Sequence, residues 1–183
     1  MIEIRWHGRG GQGAITAAKI FAQAAFKSGY AGVVMAPTFG TERRGAPVFT
    51  SLKISKEKIY DLSPIETPDI VVVLDHLLLD EVDVVKGLKE GGLVVLNTPK
   101  SIEAHDFGGT RLAVADVTSL SVQAGLPRGR VNSGVIGVLC RAYDIVPFDL
   151  VLSEIEAEFA GKKPQANSRA ARLAYDDTSV GVV

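Results

Sequence analysis

Near the amino terminus, Gly8, Gly10 and Gly13 stand between a strand-like run and a helix-like run. Residues 2–7, IEIRWH, alternate and are β-branched enough to read as a strand. Residues 14–28, AITAAKIFAQAAFKS, place Ile15, Ala18, Ala22, Ala25 and Phe26 on one apolar stripe, and Gly29 supplies the stop. Residues 30–37, YAGVVMAP, read as a second strand ending at a proline. A β–turn–α–β unit implies a parallel strand pair joined by a right-handed crossover, and this commits the chain to an α/β fold.

The remaining segments fit that class. PVFTSLKIS (47–55) alternates, with Val48, Thr50, Leu52 and Ile54 on one face and Phe49, Ser51 and Lys53 on the other. KIYDL (58–62) is expected to pair back on it, as an antiparallel addition to a mostly parallel sheet. DIVVVLD (69–75) and LVVLN (93–97) are apolar throughout, as strands covered on both faces are. Residues 77–92 read as a helix with a glycine stop, and 110–117 as a strand. Asn132 is placed to cap a helix running to Tyr143, Pro147 to open one through Phe159, and 164–175 to form the last. Residues 98–109 read as an irregular surface loop. The expected architecture is one three-layer α/β domain over residues 1–183, without repeats.

Composition removes several classes of function. Hydrophobic residues make up 46% of the 183, and the formal net charge is -1 with mixed signs, so bulk charge suggests neither nucleic acid nor a bilayer as partner. The single cysteine, Cys140, excludes an internal disulfide, a self-contained thiolate-held iron–sulfur cluster and a four-cysteine zinc site. The start MIEIRWHG lacks a signal-peptide pattern, and no apolar run reaches the ~20 residues of a membrane span, so a cytoplasmic protein is expected.

A strand, a Gly-x-Gly-x-x-Gly turn and a helix form the context in which backbone N–H groups and a helix N-terminus receive a phosphate. The candidate binding residues are Gly8, Gly10, Gly11, Gln12 and Gly13, the amide of Gln12 being able to meet a ligand or a partner's backbone. The same glycines also serve close packing of helix on strand, and the turn alone does not choose. The carboxylate that a nicotinamide site carries about 20 residues on is missing, because the second strand ends in Met35, Ala36 and Pro37. In PTFGTERRGAP (37–47), Arg43 and Arg44 sit in a proline- and glycine-shaped loop suited to gripping phosphate or carboxylate, unless Glu42 neutralises one of them. Asp75 ends a buried strand at the same sheet edge, placed to contact a ligand or to cap the next segment. His7, His76 and His105 lack metal-ligand spacing, Ser63, Ser101 and Ser133 lack a nucleophile's context, and Cys140 reads as a core thiol. No catalytic set and no metal site can be assembled, which is the profile of part of a larger enzyme.

EIRWHGRGGQGAITAAKIFAQA, FGTERRGAPV, DIVVVLD, VNSGVIGVL and the closing PQANSRAARLAYD together resemble the gamma subunit of 2-oxoacid:ferredoxin oxidoreductases, across nearly the whole chain. GxGGQG combined with FGxERRGAP is the specific part of that likeness; the turn often carries alanine where this chain has Gly10. The resemblance implies a Rossmann-like domain that is not catalytic alone. It implies alpha and beta subunits holding thiamine diphosphate and magnesium, and iron–sulfur clusters in beta or a ferredoxin-like delta subunit. The implied complex converts a 2-oxoacid to acyl-CoA and passes electrons to ferredoxin. It places this domain near the route of coenzyme A, so the glycine turn is expected to meet a coenzyme A phosphate or a partner subunit. The competing readings are the smaller subunit of indolepyruvate ferredoxin oxidoreductase, an independent NAD(P)-binding protein, and a nucleotide-sensing or structural module.

Overall fold

The computed structural model describes residues 1–37 and 44–183. Seven strands form one sheet: β1 (Ile2–Arg9), β2 (Gly32–Pro37), β3 (Pro47–Ser55), β4 (Ile70–Val73), β5 (Leu93–Asn97), β6 (Arg111–Ala115) and β7 (Ser179–Val182). The helices are α1 (Ala14–Lys27), α2 (Val117–Gln123), α3 (Asn132–Ala142), α4 (Phe148–Glu158) and α5 (Pro164–Asp177). The order across the sheet is β2-β3-β1-β4-β5-β6-β7. β1, β4, β5 and β6 run parallel, and β3 and β7 run against their neighbours.

The α/β class holds, with a parallel centre and antiparallel flanks, but β1 and β2 are not a pair. β3 lies between them, antiparallel to both, in register from Ile2↔Ile54 to Arg9↔Pro47 on one side and from Gly32↔Ser55 to Pro37↔Thr50 on the other. The nine-residue β3 is long enough to pair with all eight residues of β1 on one side and all six of β2 on the other. Residues 58–62 therefore form no strand, since both edges of β3 are taken. They run across its outer face, where Asp61 pairs with the buried Lys53 at 3.0 Å.

Strand alternation divides the core. Ile4, Trp6, Leu52, Ile54, Ile70 and Val72 meet α1, α3, α4 and α5 on one face. Val71, Val73, Val94, Leu96, Leu112 and Val114 meet Leu78, Val84, Ile102 and Phe107 on the other. The second cover is not helical. Residues 77–92 hold only a 3-10 turn at His76–Asp80 followed by further turns. Three observations account for this. The Arg5 guanidinium donates to the Val84 and Lys86 carbonyls, at 2.9 and 2.6 Å, that a helix would have used. The Lys89 N–H goes to Pro68 O at 3.0 Å. Gly87 adopts φ +76° with the Glu66 carbonyl in the space of a β-carbon.

α3 is buried from Asn132 to Leu139 and lies close on α5. Asn132 is its first residue, not its cap: the position before it is Val131, whose carbonyl accepts from Val135 N–H. In α5 the buried Asn167 accepts from Ser133 Oγ at 2.9 Å, fastening the two helices together, and donates to the Lys163 carbonyl at 3.0 Å at the start of its own helix.

Candidate functional site

The glycine turn is built by bonds that never leave the sheet edge. β1 continues through Gly8, and Arg9, Gly10, Gly11 and Gln12 form the turn, closed by Gln12 N–H to Arg9 O at 2.9 Å. Gly11, third in the turn, has φ +93°, a conformation that selects glycine there. Gly10 donates to Ala46 O at 2.9 Å and accepts from Gly45 N–H at 3.1 Å, which carries the β1–β3 ladder past the end of the strands. Gly13 caps α1 at φ +85°, and a β-carbon on it would lie 2.9 Å from Asn132 Nδ2. Gly8 packs under the helix start, its missing β-carbon only 3.1 Å from that of Ala14.

The Gln12 amide turns inward. Its Oε1 accepts from the Arg9 N–H at 2.8 Å, and its Nε2 donates to Asp75 at 3.1 Å. Asp75 also receives Arg9 Nε at 2.9 Å and the Leu77 N–H at 3.0 Å, so it caps the 3-10 turn and anchors the glycine turn together. Burial acts to raise the Asp75 carboxyl, but the donors Leu77 N–H, Gln12 and Arg9 outweigh it and hold the pKa below the ordinary carboxylate value. Arg9 also reaches Glu81 at 2.5 Å and the Gly45 carbonyl at 3.1 Å. The Glu81 hydrogen bond, then Asp75, raises the guanidinium pKa.

A cavity of about 270 Å3 opens beside the turn, walled by Gly10, Gly11, Gly13, Thr16 and Val48 with Arg9 and Arg130 at its borders. The first turn of α1 lines this region with no acidic residue of its own and no side-chain cap, so among the described residues no side chain satisfies its N–H groups or offsets its partial positive charge. Arg44 is exposed, and its Cγ is the nearest atom to the open side of Gly11, 3.8 Å from where a β-carbon on that glycine would stand. No carboxylate pairs with Arg44 or Arg130 among the described residues. Thus Gly8, Gly10, Gly11, Gln12, Gly13 and Arg44 do come together. Arg43 and Glu42 lie outside the described residues. Arg9 and Arg130 complete the edge, and the sequence reading singles out neither; the one local signal for Arg130 is a cation two residues before a buried helix start.

The other candidates serve packing. His7 is buried, accepts Arg5 Nε on its Nε2 at 3.0 Å and lies against Phe49. Burial, and secondarily the Arg5 charge, lower its pKa to about 4. Burial, then Asp144, pushes the Cys140 thiol up to about 12, which leaves it unreactive near neutrality. Among the described residues no group of three or more His, Cys, Asp or Glu side chains is disposed to hold a metal, and no helix is long and apolar enough to cross a membrane.

A family model described as pyruvate ferredoxin/flavodoxin oxidoreductase matches residues 3–177. The pyruvate/ketoisovalerate oxidoreductases common subunit gamma of Thermococcus litoralis is 45% identical over 185 residues, covering 98% of each chain. The pyruvate synthase subunit PorC of Methanothermobacter marburgensis is 43% identical over 176 residues, covering 96% of this chain and 97% of that one. The crystal structure of the pyruvate oxidoreductase subunit PORC of Thermotoga maritima superposes with a TM-score of 0.84 at 36% identity, covering 98% of both chains.

Proposed function

This chain belongs to the pyruvate ferredoxin/flavodoxin oxidoreductase family, and from that premise we propose that it works as the gamma subunit of a multisubunit 2-oxoacid:ferredoxin oxidoreductase. The assembled enzyme decarboxylates a 2-oxoacid oxidatively, forms acyl-CoA and CO2, and delivers electrons to ferredoxin. Thiamine diphosphate, magnesium and the iron–sulfur clusters are assigned to the alpha, beta and delta subunits. That division agrees with a chain whose one cysteine is a high-pKa thiol and which, among the described residues, offers no acid–base pair at its open edge. The cytoplasm is the proposed compartment.

In this proposal the gamma chain contributes a binding edge for coenzyme A. The observation that carries it is the uncapped, acid-free start of α1, opening on a cavity with Arg130 at its border and Arg44 over Gly11. Such an edge offers N–H donors and guanidinium groups to a phosphate, and the nearby carboxylates among the described residues, Asp75 and Glu81, are already engaged by Arg9. An NAD(P) site is a poorer fit to the same edge. β1 is flanked by the antiparallel β3, which brings no carboxylate to this edge, and by the parallel β4, whose following carboxylate, Asp75, is already taken by Arg9, Gln12 and the Leu77 N–H rather than left for a ribose.

The test uses the whole complex carrying Arg44→Lys or Arg130→Lys in this subunit. Each keeps the charge and loses the two-pronged donor, so the apparent KM for coenzyme A should rise about three- to tenfold while assembly and the KM for the 2-oxoacid hold. Unchanged coenzyme A kinetics in both variants would remove the cavity from the coenzyme's path.

A further inference from the structure

We infer that the outer edge of β2, with the apolar groove beside it, docks an extended apolar and acidic segment of a neighbouring subunit. The inference rests on the subunit reading above. β2 is an end strand of the sheet, bonded to β3 on one side only. Its sequence, Gly32-Val33-Val34-Met35-Ala36-Pro37, has no charged residue, and only the terminal proline disfavours pairing. Edge strands that face water in lone proteins are guarded by charges, bulges or cover. Among the described residues no backbone hydrogen bond reaches the far side of this one.

On the helical side of that edge, Val33 and Met35 join Ala22 and Phe26 of α1 as walls of a groove of about 320 Å3. Phe26 is 67% exposed, although phenylalanine is a residue that folding normally buries. The charged side chains at the groove are Lys19 and Lys27. Each is bonded to one carboxylate of α4, Glu158 and Glu154 respectively, yet stays 48% and 56% exposed. An ammonium has three donors, so both lysines retain room for another carboxylate.

These features select the occupant. Main-chain pairing along the edge requires an extended strand. Alternate residues of that strand enter the groove and must be apolar; those crossing the rim meet lysines and are best acidic. A second copy of this chain would oppose one lysine rim to another across a two-fold axis, so a different subunit fits better.

Hydrogen–deuterium exchange on the full chain, free and co-purified with the alpha and beta subunits, reads the edge directly. Assembly should slow exchange in residues 32–36 and in the peptide carrying Phe26. Phe26→Glu, at an exposed helix position, should keep the thermal midpoint of the free chain and weaken association about tenfold. Val122→Glu, at an exposed apolar position of α2, should leave association unchanged. Assembly with β2 exchanging as in the free chain, or Phe26→Glu associating like the wild type, overturns the docking site and leaves the subunit reading standing. A wild-type chain that forms no complex overturns both. Dimerisation of the lone chain with β2 protected gives the edge to a second copy and overturns the proposal.

Discussion

His7 directly precedes the glycine turn, yet its chemistry is that of a buried neutral ring. Its folded pKa of about 4 lies below the ordinary 6.5, so the unfolded chain takes up a proton first as pH falls. Stability is fully present above pH 6.5 and declines as pH drops toward 4, by up to about 3 kcal/mol from this residue. His7→Gln keeps an acceptor for Arg5 and does not titrate. Its urea midpoint should fall less across that window than the wild-type midpoint; equal slopes would assign the acid sensitivity elsewhere. Gly13 was legible from sequence as a turn residue, because a strand, a turn and a helix must meet there. That it must also admit Asn132 was not, since a contact between residues so far apart has no local signal. Arg9 shows the same limit. It reads as filler between two glycines, while its partners Asp75 and Glu81 lie 66 and 72 positions away.

Elements whose character is set locally are those the sequence reveals. β4 and β5 are apolar on both faces because both faces are covered, and they read as such. The stretch after β4 has helical spacing, but Arg5 of β1 takes its carbonyls, and a distant donor defeats a local pattern. The place of β3 was hidden for another reason: alternation reports which face of a strand is buried and says nothing of which neighbours flank it. The α3–α5 pair supplies the sharpest element-level test. A β-carbon at Gly137 would sit 2.0 Å from the Ala171 carbonyl, so Gly137→Ala must push the helices apart. A loss of about 1–3 kcal/mol in chemical denaturation is expected, against the gain alanine gives in an open helix. A neutral or stabilising result would show that the two helices slide without cost.

At the scale of the molecule, the relatives span nearly the whole chain, and among the described residues the glycine-turn edge is furnished for binding without an assembled catalytic set. The lone protein given a 2-oxoacid, coenzyme A and thiamine diphosphate should therefore reduce a viologen dye no faster than buffer, and mixing with the alpha and beta subunits should switch reduction on. Turnover by the lone chain would contradict the proposed division of labour. The α/β class was legible because burial and alternation are written along the chain, whereas the strand order was not; the assembly was legible only through resemblance, because a partner's shape leaves no periodicity in its neighbour. The bonds around the glycine turn also carry a consequence for synthesis. The turn lies within the first 13 residues, but it closes on Gly45, Ala46 and finally Asp75. A growing chain thus releases the turn early and completes it late. Until that stretch of chain has left the ribosome, Gln12 and Arg9 lack their shared acceptor Asp75, and β1, already able to pair with β3, still waits for β4.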